Sequence, residues 1–167
     1  SETYVSIPGE AVSGEESITI TGWINLRSAK SGQVFFDFGK DGSTHISAAP
    51  AGTKEGEGLL VQVVAGNKTW ATSSAAVPVN KWSHIAVVID VPSETLSTYL
   101  NGELAGEAKD FSPELKQLFD FDTAKNNQLF IGKSRAAGNT FLNAKLSDFR
   151  VYRIPLTQRQ IARIYFT

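Results

Sequence analysis

Apolar and polar residues alternate with period two along most of this chain, and each alternating run ends at turn residues. The clearest stretch is Lys81–Gly102, KWSHIAVVIDVPSETLSTYLNG. Trp82 to Val91 is nearly continuous in apolar and β-branched residues, as a strand deep in a sheet should be. Pro92 breaks it, because proline cannot donate to a ladder. Leu96 to Leu100 alternates, and Asn101-Gly102 is a strong hairpin signal, since a type I′ turn needs positive φ at both central positions. Glu103 to Ala108 returns from that turn. The stretch therefore predicts the middle of an antiparallel meander.

The same pattern extends in both directions. Tyr4–Pro8 predicts an entry strand, and Gly9–Ser17 a polar loop. Ser17–Arg27 predicts a half-buried strand with Ile18, Ile20, Gly22, Ile24 and Leu26 inward. Gln33–Gly39 and Thr44–Ala49 flank a turn at Lys40-Asp41-Gly42. Leu59–Ala65 and Thr69–Ser74 flank Gly66-Asn67. Ser112 predicts an N-cap, with Pro113 at the first helical position and Leu115, Leu118 and Phe119 on the apolar face of a short helix. Gln128–Gly132 and Ala144–Arg153 predict two more strands. Thr157 and Gln160 have capping-box spacing ahead of Ile161, Ile164 and Tyr165. About eleven strands and two short helices follow. They are consecutive rather than interleaved, so the expectation is all-β: a two-sheet antiparallel sandwich.

Length, composition and charge narrow this picture. The 167 residues form one expected domain, 1–167, with no linker or repeat. Sixteen basic and seventeen acidic residues give a net charge of −1, so no field recruits nucleic acid or an anionic membrane. No apolar run is long enough to insert into a bilayer. The chain has no Met and starts at Ser1, which reads as a piece excised from a larger multidomain protein. Cys is absent, which removes disulfide and thiolate chemistry and fits an oxidising compartment.

Three stretches together resemble a known family. Trp82-Ser83-His84-Ile85-Ala86-Val87 through Asp90, with Tyr99-Leu100-Asn101-Gly102, resembles the core motif of laminin-G-like jelly rolls. These belong to the concanavalin A-like lectin/glucanase superfamily. Ile131-Gly132-Lys133-Ser134 and Lys145–Arg153, followed by Pro155-Leu156-Thr157, resemble its closing signature. Gln33–Gly39 with Thr44–Pro50 is similar to a hairpin in copies appended to bacterial glycoside hydrolases, arabinofuranosidase-type enzymes among them. Three positions depart from the pattern: Ala144, Ser147 and Gln160 stand where Gly, Asp and Glu are usual. The resemblance implies a non-catalytic carbohydrate-binding or accessory module of a secreted, periplasmic or cell-surface hydrolase. Its implied partners are a glycan or polysaccharide and the parent's catalytic domain.

 The resemblance implies plant or host glycans, arabinose-containing ones among them. Relatives hold a structural calcium with acids near the closing signature, which implies Asp148 as the metal ligand here. No other cofactor is required.

The candidate chemistry is sparse. Residues i and i+2 of a strand share a face about 6.5–7 Å apart, within the range of about 5–9.5 Å for paired glycosidase carboxylates. Asp120/Asp122 and Glu55/Glu57 have that spacing, but both pairs read as loop carboxylates, so a glucanase is the third reading. A domain-packing module without a sugar site is the second. No G-x-S-x-G elbow or phosphate loop is present. Trp23, Trp82 and His84 read as core. For sugar, stacking aromatics and planar polar groups are needed. The candidates are Trp70 beyond the Gly66-Asn67 turn, His45, and Arg135, Asn139 and Phe141 in the SRAAGNTF loop.

Overall fold

The computed structural model describes residues 4–12, 16–136 and 141–167. In chain order the strands are β1 (Val5–Ile7), β2 (Ile18–Leu26), β3 (Phe36–Asp41), β4 (Thr44–Ala49), β5 (Leu60–Ala65), β6 (Lys68–Ser73), β7 (Trp82–Asp90), β8 (Thr95–Leu100), β9 (Glu103–Ala108), β10 (Gln128–Ile131) and β11 (Ala144–Tyr152). The helices are α1 (Leu115–Leu118) and α2 (Gln158–Phe166). Two antiparallel sheets form, one ordered β1-β10-β3-β4-β5-β6 and the other β11-β2-β7-β8-β9. The architecture is the all-β two-sheet sandwich that the alternation predicts.

The core lies between the sheets. Ile18, Ile20, Ile24 and Leu26 of β2 and Ile85, Val87 and Ile89 of β7 meet Phe36, Phe38, Ile46, Val61, Val63 and Leu129 of the six-stranded sheet. A buried hydrogen bond also joins the sheets, with Thr72 and Thr98 hydroxyls 2.7 Å apart. Asn101 and Gly102 take φ of 52° and 82°, as the hairpin signal requires. The β11 alternation does not run unbroken. A bulge between Ser147 and Arg150 puts Asp148 at φ 51° and turns Phe149 inward. The Phe149 ring packs 5.5 Å from Phe35 and 6.0 Å from Phe38. Gly22 makes the room, since a Cβ there would sit 2.7 Å from the Phe35 ring.

The outer face of the five-stranded sheet is covered by α2. Thr157 accepts from the Gln160 N–H and Gln160 accepts from the Thr157 N–H, closing the capping box. Ile161 and Leu156 pack on Ala86 and Val88. Trp23 stacks on Tyr165 at 5.5 Å, and His84 is buried beside both rings. Trp82 departs from the expected core position. It shares the outward phase of His84 and remains 41% exposed. The first short helix also differs, because Glu114 rather than Ser112 is its N-cap. Among the described residues no such helix covers the outer face of the six-stranded sheet, and Leu115, Leu118 and Phe119 enter the main core.

Burial pushes the His84 imidazole down to about 4, with Asp148 opposing and Arg150 assisting. Its Nδ1 is buried without a hydrogen-bond partner. A lowered histidine means that the unfolded chain takes up a proton that the folded chain refuses. Stability should therefore fall as pH drops from about 6.5 toward 4, by up to about 3 kcal/mol. Urea unfolding at several pH values is expected to show this slope in the wild type and to show it reduced in His84→Leu. Equal slopes in the two proteins would refute the assignment.

Candidate functional site

On the six-stranded sheet, strand register decides which side chains face outward. Phe130, Asp37, Ser47 and Gln62 stand in one row across β10, β3, β4 and β5. Gln128, His45 and Val64 share that face in the adjoining row. Alternation leaves Tyr4 outward beside Phe130.

Asp37 is the unusual member, a carboxylate only 1% exposed on the outer side of a sheet. The segment after β10 covers it. Arg135 Nε donates to Asp37 Oδ1 at 2.7 Å, and the Arg135 N–H donates to Oδ2 at 3.0 Å. Ser134 Oγ reaches Oδ2 at 3.5 Å. The remaining guanidinium donors go to the carbonyls of Asp41, Asp37 and Gln128. His45 Nδ1 lies 3.1 Å from Oδ1, off the line of a good hydrogen bond. Burial alone would raise the Asp37 carboxyl. The close His45 Nδ1 contact, the Arg135 hydrogen bonds and the Arg135 charge outweigh it, and the carboxyl ends below its usual value.

The sequence candidates therefore separate. His45 is half-buried, on the outer face, with Nδ1 turned to Asp37. Arg135 has its guanidinium engaged by acceptors of its own chain, as a clamp on β3 and β10. Trp70 faces the core side of β6. Its ring meets Phe111 at 5.3 Å, and its Nε1 donates to the Asp110 carbonyl. Phe141 is half-buried, 6.1 Å from the Tyr4 ring. Asn139 lies outside the described residues. These placements bring His45 and Phe141 to one face and put Trp70 in a packing role on the other side of its sheet.

Tyr4, Phe130 and Lys133 were not among the sequence candidates. Tyr4 is 44% exposed and meets Phe130 edge-to-face at 5.8 Å. The sequence signal was an aromatic at the polar phase of an alternating strand, as Phe130 is between Leu129 and Ile131.

The acids fill structural roles. Glu57 accepts from the Thr53 and Lys54 N–H groups, and Asp120 from the Thr123 N–H and Asn126 Nδ2. These bonds, the backbone ones foremost, lower both carboxyls. A general acid needs the opposite shift. Asp120 and Asp122 line an open hollow of about 380 Å³ with Lys40 and Phe119. Asp148 accepts from Arg150 Nε at 2.7 Å. A guanidinium stands where a cation would bind, and no three His, Cys, Asp or Glu cluster among the described residues. The residues around Asp148 do not fit calcium.

Residues 1–162 match the family model described as the concanavalin A-like lectin/glucanases superfamily. The chain belongs to that superfamily. Domain 4 of AbnA, a GH43 extracellular arabinanase from Geobacillus stearothermophilus solved with arabinotriose, is similar at TM-score 0.76 and 18% identity, covering 97% of this chain and 72% of that one. A Bacteroides ovatus protein assigned to carbohydrate binding is similar at TM-score 0.70 and 20% identity, covering 96% and 44%. The binding domain of a botulinum neurotoxin of serotype D/C is similar at TM-score 0.67 and 16% identity, covering 91% and 36%. The chain thus spans less than half of the last two. At these identities the likeness shows the fold. No curated protein matches the sequence.

The Asp37–Arg135 pair predicts an asymmetric response to mutation. Arg135→Ala leaves a buried charge without its counterion and should cost about 3–5 kcal/mol. Arg135→Ala combined with Asp37→Ala should recover a large part of that loss. Denaturant midpoints of the two single variants and the double variant test the coupling, and strictly additive effects would contradict it.

Proposed function

We infer that this chain is a non-catalytic carbohydrate-binding or accessory module of a secreted bacterial glycoside hydrolase. Its partners are a glycan and the catalytic domain of the same polypeptide, and it works outside the cytoplasm. The observation that carries this reading is the Tyr4–Phe130–Phe141 cluster on the outer face of the six-stranded sheet. Aromatic rings offer C–H surfaces of sugars an apolar contact, and His45 adds a polar group on the same face. The AbnA domain's arabinotriose complex supports trying arabinose-containing glycans first. Backbone N–H groups hold the Glu57 and Asp120 carboxyls low, which speaks against either as a general acid.

A second reading, a bracing module, is favoured by one observation. Trp82, Leu104 and Phe166 are 41%, 45% and 81% exposed. Calorimetric titration with arabinotriose and a glycan array, each with and without calcium, separates the readings. Binding is expected in the wild type, weakened about tenfold or more in Tyr4→Ala. In Trp70→Ala the expected loss is mainly in stability. No binding to any glycan on the array would leave the bracing reading in its place.

A further inference from the structure

The aromatic cluster holds a cation. Lys133 Nζ lies 4.4 Å from the Tyr4 ring centroid and 4.9 Å from that of Phe130. Lys133 is half-buried, its stem laid along the edge and its ammonium held over the rings. The rings attract the charge through their quadrupoles but do not neutralise it. The ion pairs among the described residues join Arg135 to Asp37, Lys116 to Glu114 and Arg150 to Asp148. Lys133 is in none of them. Arg135, two residues on, already has its counterion. The edge formed by β1 and β10 therefore keeps one oriented positive charge among three aromatic rings.

That combination selects among sugars. A neutral glycan uses the rings and leaves the ammonium without an anion. A sugar with a carboxylate on the ring can use both, meeting the rings with its C–H surface and the ammonium with its charge. A charge-assisted hydrogen bond is worth more than a neutral one. We propose that Tyr4, Phe130, Phe141 and Lys133 form a subsite for a uronic acid, so that the module prefers acidic glycans over neutral ones of the same shape. This rests on the carbohydrate-binding reading and specifies its ligand.

The test compares three probes by calorimetry: trigalacturonic acid, its methyl ester and arabinotriose. The ester keeps the rings and removes the charge. At about 50 mM salt the acid should bind about tenfold more tightly than the ester. That ratio should shrink at about 500 mM salt, fall toward one in Lys133→Gln and survive in Lys133→Arg. Equal affinity for acid and ester, or a ratio that Lys133→Gln leaves intact, overturns the uronate subsite while binding of the ester or arabinotriose upholds the carbohydrate reading. Failure of all three probes to bind overturns the uronate subsite, and the carbohydrate reading falls with it only if the glycan array is also silent. Thermal unfolding of each variant shows that it is folded.

Discussion

A buried ion pair fixes the face on which this domain's chemistry would take place. Asp37 stands on the outer side of β3, where a charge without water is costly unless it is paired and hydrogen-bonded. Arg135 answers it from a segment 98 residues away in sequence. Because both the side chain and the main chain of Arg135 bind Asp37, the pair anchors backbone as well as charge. That anchor lies two residues beyond Lys133. It also lies downstream of Phe130 and upstream of Phe141. The orientation of the aromatic cluster therefore depends on an interaction that touches none of its rings.

The two outer faces of the sandwich have different fates. On the five-stranded sheet, Ala86 and Val88 leave an apolar surface that α2 covers through Leu156 and Ile161. The face is closed by its own chain. On the six-stranded sheet the outward positions include Asp37, Ser47, Gln62, His45 and Gln128, more polar than the Ala86–Val88 surface that α2 covers. Among the described residues no helix covers that face, and the aromatics gather at its β1–β10 edge. The hydrophobic pattern thus selects both the fold and the surface left for a ligand.

Local signals in the sequence were the legible ones. Asn101-Gly102 specified its turn because few residues accept positive φ there. Thr157 and Gln160 specified a helix start because the capping box needs only four residues. The β2 alternation named the right inward set. The β11 bulge was less visible, since its cause is the room that Gly22 gives Phe149 on another strand. Trp82 and Trp70 were hard to place because one tryptophan suits an outer face as well as a core. Arg135 looked like a free loop residue because nothing near it in sequence announces Asp37. Tyr4 and Phe130 become neighbours only when β10 inserts between β1 and β3.

The central claim is that the β1–β10 edge of the six-stranded sheet is where a glycan binds. Backbone amide chemical shifts recorded during a titration with the tightest-binding oligosaccharide test it most directly. The account predicts shifts concentrated at Tyr4–Ser6, Gln128–Arg135 and Phe141, extending to His45. Shifts confined to α2 and the outer face of the five-stranded sheet would contradict it.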